Sequence, residues 1–158
     1  MNKFEYYYVD TCILADIIIQ HFDSAVEFGA SQYISKEMAQ KLNVALHSSG
    51  DNGMVLTSSF AVIELINKFD TIFNGTPVNI NKLYAFIKEP PGWITIEDTD
   101  SHVAPYLLSV PETSPNGDQI SGDDAIHIAT ALSREEELFF LTTDGRIKQL
   151  DLGNITFL

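Results

Sequence analysis

Residues 4–22 read FEYYYVDTCILADIIIQHF, and the change of pattern at Asp10 decides the fold. Phe4 to Val9 is aromatic and β-branched at its end, as a buried strand requires. Cys12 to Phe22 then sets Ile13, Leu14, Ile17 and Ile18 at helical spacing, with Thr11 or Asp10 placed to cap the first turn. A strand running straight into a helix, with an acid at the strand's carboxyl end, opens an α/β unit.

The same alternation continues down the chain. Met38, Leu42, Ala45 and Leu46 predict a helix over residues 31–47, stopped by the turn at 48–53. Met54 to Thr57 is a short apolar strand, after which Val62, Leu65, Ile66, Phe69 and Phe73 keep a helical period up to Gly75 and carry Glu64. Residues 79–87 form another helix, ended by Pro90, Pro91 and Gly92, and residues 93–96 alternate as a third strand. Residues 111–122 hold no apolar periodicity, and a connection this long in a compact domain is usually functional or mobile. A helix with Ile126, Ala129 and Leu132 facing inward follows, then a strand at 138–141 ending in Thr142, Thr143 and Asp144, and a last strand at 155–158. Connections of this length enforce parallel pairing. The expected architecture is a three-layer α/β/α sandwich on a central, mostly parallel five-stranded sheet, spanning residues 1–158 as one domain.

Composition bounds the function. The 158 residues are 45% hydrophobic, enough for one core. Nine Lys and Arg against 22 Asp and Glu give a net charge of −13, which repels nucleic acid and anionic membranes at long range. One cysteine, Cys12, excludes an internal disulfide and a Cys-rich zinc site, so a reducing, cytoplasmic setting is the expectation. Glu5, Asp10 and Asp16 break any apolar run near Met1, so neither a signal peptide nor a membrane span is expected there.

In parallel α/β sheets, ligands bind beyond the carboxyl ends of strands, near the point where strand order reverses. Asp10 and Asp144 fall at such ends, Asp124 opens the helix after the long loop, and Glu64 lies two turns into a helix that starts at a strand end. Each has an ordinary explanation: Asp10 as a helix cap, Asp144 with Gly145 as a turn, Ser121 with Asp124 as a capping pair, Glu64 with Lys68 as a helical ion pair. Together they ask for more. Two carboxylates about 4 Å apart repel by roughly 4 kcal/mol at an effective dielectric of 20, so four ionised acids at one edge call for cations. Oxygen donors of this kind suit Mg2+ or Mn2+. Such ions activate water and steady the attacking and leaving oxygens of a phosphodiester.

The chain resembles the PIN-domain nucleases, including the VapC-like ribonuclease toxins of toxin–antitoxin pairs. Residues 9–11 (VDT) before an apolar helix, Glu64 within residues 59–65 (SFAVIEL), residues 124–131 (DAIHIATA) and residues 142–144 (TTD) are similar to that family's motifs, in its order and over nearly the whole chain. The resemblance implies a metal-dependent endoribonuclease in which Asp10, Glu64, Asp124 and Asp144 are the catalytic ligands of Mg2+ or Mn2+. It also implies that the Thr142 hydroxyl orients these carboxylates, with Asp123 as a further or substitute acid. An RNA substrate, a small antitoxin partner and a homodimer are implied as well. Cys12 departs from the Asn or Ser common in the family two positions after the first aspartate, which alters hydrogen bonding without removing a ligand.

The charge balance weighs the other way. Lys68, Arg146 and Lys148 are the bases nearest the motifs, and each has a plain reading as an ion-pair partner or solvated side chain. His127, on nearly the same helical face as Asp124, reads as a buried, hydrogen-bonded histidine before it reads as a ligand. Trp93 and Tyr6 to Tyr8 read as core. The rival from another class is a PIN fold without catalysis, serving as a binding or scaffold module. Nucleotide-binding glycine motifs are absent, and no lysine directly follows Thr142 as a phosphate-receiver site needs.

Overall fold

The computed structural model describes residues 5–22 and 53–158. Phe4 and the helix predicted over 31–47 lie outside the described residues. Strand β1 (Glu5–Val9) leads into α1 (Thr11–Phe22). Strand β2 (Gly53–Ser58) is followed by α2 (Ser59–Asn67), the single turn α3 (Phe69–Ile72) and α4 (Ile80–Lys88). Strand β3 (Ile94–Glu97), a 3-10 turn (Ala104–Ser109) and α5 (Gly122–Leu132) come next, then β4 (Leu138–Leu141), a short 3-10 turn (Ile147–Gln149) and β5 (Ile155–Phe157).

The five strands form one sheet in the order β3-β2-β1-β4-β5, every neighbouring pair parallel. Tyr7 pairs with Val55 on one side and Phe139 on the other, and Tyr8 with Leu56 and Phe140. Because successive strand residues face opposite sides, one register fills two cores. Tyr7, Val9, Val55 and Leu141 pack with α1, α2 and α4 on one face. Tyr8, Leu56, Phe140 and Ile155 pack with Ile128 and Ala131 of α5 on the other. The three layers and the parallel sheet agree with the sequence expectation, and the sheet is parallel throughout the described residues.

Local differences have local causes. The helix carrying Glu64 breaks at Lys68, whose amide bonds back to Glu64 and Ile66 while its carbonyl accepts from Thr71 and Ile72, so the period survives a change of axis. The segment before residue 111 coils as a 3-10 turn opened by Pro105. Residues 111–122 fold back on themselves through a bridge between Thr113 and Gln119 and an Ile120 amide to Glu112 carbonyl bond of 2.9 Å. Gly117 takes a φ of +87° at the tip, where a side chain would be strained.

The inner face of α5 corrects the sequence reading. His127, Ile128, Ala129, Thr130 and Ala131 are the buried residues, whereas Ile126 and Leu132 are only half-buried. The helix packs against the sheet, against α2 and against the 3-10 turn at 104–109, so a wide arc of it is covered and polar His127 is drawn in.

Ser58 caps α2: its hydroxyl accepts from the Ala61 amide at 3.0 Å, in full burial. Ser58→Ala removes the cap at the start of the Glu64 helix and is expected to lower stability by about 1 kcal/mol, read as a shifted urea midpoint with unchanged slope.

Candidate functional site

The chain moves from β1 to β2 and β3 on one side, then returns to β4 and β5 on the other, so strand order reverses between β1 and β4. Asp10 leaves the carboxyl end of β1 and Thr142 to Asp144 leave that of β4, on the two sides of this switch point. The Asp10 carboxylate accepts the Ile13 amide at 3.2 Å, which caps α1, and the Thr142 hydroxyl at 3.1 Å. Thr142 is fully buried, and the same hydroxyl accepts the Asp144 amide at 3.1 Å. One side chain thus links the Asp10 carboxylate, 132 residues away in sequence, to the backbone of Asp144. Burial pushes the Asp10 carboxyl above its ordinary value, opposed by the Ile13 amide, His127 and Thr142 and reinforced by Asp124.

Glu64 reaches the same edge from α2. Its Oε1 accepts from the Thr11 hydroxyl at 2.5 Å and stands 2.8 Å from His127 Nε2. A carboxylate only accepts, so Nε2 carries the proton and Nδ1 is left to accept from the Tyr8 hydroxyl at 2.9 Å. His127 is 3% exposed and is satisfied at both nitrogens. The bond from His127 holds the Glu64 carboxyl below its ordinary value, helped by Thr11 and Lys68 against the effect of burial.

This opposition fixes a pH dependence. A lowered carboxyl contributes stability that is present above its unfolded value of 4.5 and is lost as pH falls through its folded value. Gln at position 64 keeps an acceptor but no charge. The stability difference between the native chain and Glu64→Gln is therefore expected to be greatest near pH 7 and to shrink below pH 4.5, measured by urea unfolding at a series of pH values in EDTA.

Asp124 sits in the first turn of α5, its amide bonded to the capping Ser121 hydroxyl at 3.1 Å, and Asp123 is exposed beside it. The guanidinium of Arg146 faces both remaining acids. Its Nε lies 3.0 and 3.1 Å from the two Asp144 oxygens, its Nη2 lies 3.9 Å from Asp124 Oδ2, and its Nη1 donates to the Gln119 carbonyl at 3.2 Å. This pairing holds the Asp144 carboxyl below its ordinary value.

The four acids therefore have separate partners: Asp10 is held by Thr142 and the Ile13 amide, Glu64 is turned to His127 and Thr11, and Asp124 with Asp144 is spanned by Arg146. Among the described residues, no three His, Cys, Asp or Glu side chains stand close enough together to hold one metal ion. The donor chemistry is that of a hard divalent cation: Asp10, Glu64, Asp124 and Asp144 offer carboxylate oxygens only, and the nearby imidazole is committed to Glu64 and Tyr8. Asp10, Asp124, Asp144 and the Glu64 oxygen turned away from His127 are the atoms that could hold it.

Tyr8, Thr11 and Arg146 belong to this network and were not singled out as site residues by sequence. Tyr8 reads as core, which it is, and only its hydroxyl joins the network. In sequence Thr11 reads as a cap and Arg146 as a solvated base, and the place of Arg146 two residues after Asp144 is the available signal. Trp93 packs against the core, and Lys148 is exposed.

In fold, the chain is similar to a chain of the crystal structure of VapBC2 from Rickettsia felis bound to a DNA fragment from their promoter. The TM-score is 0.60 at 17% identity, with 97% of each chain covered. The chain matches no family model and no curated protein. A likeness at this identity speaks for the fold, and it covers the sheet, its helices and the switch point together. No helix among the described residues is long and apolar enough to cross a membrane.

Proposed function

We propose that residues 1–158 act as one PIN-like domain, a Mg2+- or Mn2+-dependent endoribonuclease of the VapC-like toxin type. The observation that carries this reading is the Thr142 hydroxyl joining Asp10 to the strand end of Asp144 at the switch point, with Glu64 and Asp124 at the same edge. A bound divalent ion would supply an activated water and offset the charge gathered on the phosphate. Asp10, Asp124, Asp144 and Glu64 would hold it. Thr142 fixes the direction of the Asp10 carboxylate, and His127 and Thr11 fix that of Glu64. The cationic groups at this edge, Arg146 and Lys68, are the chain's own means of meeting a polyanion against a net charge of −13.

The fold shared with a chain of a VapBC2 assembly over 97% of both lengths supports a small antitoxin as partner, and the sequence resemblance supports a homodimer in the cytoplasm. Incubating the purified chain with a mixed RNA pool in Mg2+ and in Mn2+ tests the activity. Discrete cleavage, abolished by EDTA, is the expected result.

One observation favours a second reading, a binding or scaffold module without catalysis: in this conformation no three acids among the described residues close on one ion. An intact RNA pool together with the absence of metal binding by calorimetry would establish that reading in place of the first.

A further inference from the structure

Arg146 is held by more contacts than a surface arginine needs. Its amide donates to Asp144 Oδ1 at 2.9 Å, its Nε addresses both Asp144 oxygens, its Nη1 is anchored on the Gln119 carbonyl of the long loop, and its Nη2 leans toward Asp124. The fork of a guanidinium suits this task, since one planar group can serve a carboxylate, a carbonyl and a second carboxylate. The remaining acid with a nearby ammonium, Glu64, faces Lys68 at a single distance of 3.9 Å.

We propose that Arg146 is the resident cation of the acidic edge, and that a divalent metal ion loads by displacing its guanidinium from Asp124 and Asp144. This rests on the metal-dependent reading above. A hard cation binds carboxylate oxygen at about 2.0–2.6 Å, inside the space a guanidinium nitrogen needs at 3.0 Å, so the two occupants exclude one another. Exchange is feasible because the Arg146 side chain is 44% exposed and leaves into water, whereas the Asp124 and Asp144 side chains, at 26% and 25%, stay in place. With a guanidinium beside them, Asp124 and Asp144 have a counter-charge already.

Removing the guanidinium should tighten metal binding, which is opposite to the effect of deleting a ligand. The test is calorimetric titration of the full chain with MnCl2 in metal-free buffer, comparing the native protein, Arg146→Ala, Arg146→Lys and Lys148→Ala. Arg146→Ala is expected to bind Mn2+ at least tenfold more tightly than the native chain, with Arg146→Lys between them. Lys148→Ala makes the same change in net charge two residues away and is expected to alter affinity less than twofold. In parallel, the Arg146 Nε–H resonance is followed during titration with Mg2+, and it is expected to shift and to exchange faster with water as the ion saturates. Equal affinities for native and Arg146→Ala protein, an equal gain in Lys148→Ala, or an Arg146 resonance unmoved at saturation would each overturn the exchange while leaving the metal site standing. No Mn2+ binding by either native or Arg146→Ala protein would overturn both.

Discussion

Asp10→Asn is expected to reduce metal-dependent RNA cleavage by about a thousandfold, on the order of 4 kcal/mol of transition-state stabilisation, without weakening the fold. The reason lies in what the residue touches. Its carboxylate is enclosed at the switch point, and its hydrogen-bond partners are the Ile13 amide and the Thr142 hydroxyl. An asparagine retains an oxygen for Ile13 and offers an amide to the Thr142 oxygen, so the capping of α1 survives. What disappears is a negative charge that burial already disfavours, the cause of the raised carboxyl. A carboxyl raised on folding makes the folded state less favourable above its ordinary value of 3.8, so the asparagine variant should be at least as stable as the native chain at pH 7 and should lose that advantage toward pH 3. Rates from an RNA cleavage assay at saturating Mg2+, with urea unfolding of the same samples, check both halves. A variant that is inactive because it is unfolded would contradict the placement of Asp10.

The second large effect is expected at His127. Replacing it with leucine keeps the apolar volume but deletes both ring nitrogens. The Tyr8 hydroxyl then loses its acceptor at 2.9 Å, and Glu64 loses a charge-assisted bond at 2.8 Å, in a site that is 3% exposed. Leaving such groups unmet costs about 1–3 kcal/mol apiece, so His127→Leu should lose about 3 kcal/mol in urea unfolding. Tyr8→Phe deletes one end of the same chain and should cost about 1 kcal/mol, and the two losses should be less than additive because the bond is shared. A fully additive double variant would show that Tyr8 and His127 are not coupled. At the proposed metal site His127 would act through Glu64, as a positioning residue. Its loss should weaken Mn2+ binding in calorimetry, whereas Tyr8→Phe, which leaves Nε2 on Glu64, should not.

Much of the fold was legible because its signals are local. The apolar run ending at Val9, the helical spacing of Ile13, Leu14, Ile17 and Ile18, and the short strand before Thr142 each announce themselves within about ten residues, and their alternation leaves parallel pairing as the economical arrangement. The inner face of α5 is less legible. A period of three to four picks Ile126 and Leu132, but it treats histidine as polar and cannot know that a tyrosine 119 residues earlier and a glutamate 63 residues earlier satisfy both nitrogens of His127. The acids themselves were visible as residue types at strand and helix ends. Their partners were less so, because Thr142 with Asp10 and Thr11 with Glu64 meet only once the sheet is assembled. Arg146 shows the limit most clearly: beside a turn it looks solvated in sequence, and in the fold it spans two of the four acids.

The central claim is that the switch-point acids of β1 and β4, with Asp124 and Glu64 beside them, form a divalent-cation site. Crystals of the chain grown with MnCl2 and measured at the manganese absorption edge test it most directly. An anomalous peak within about 2.5 Å of oxygens from Asp10 and Asp144, with Arg146 turned away, is the expected result. A saturating manganese concentration that leaves this edge without a peak, and Arg146 still paired with Asp144, would contradict it.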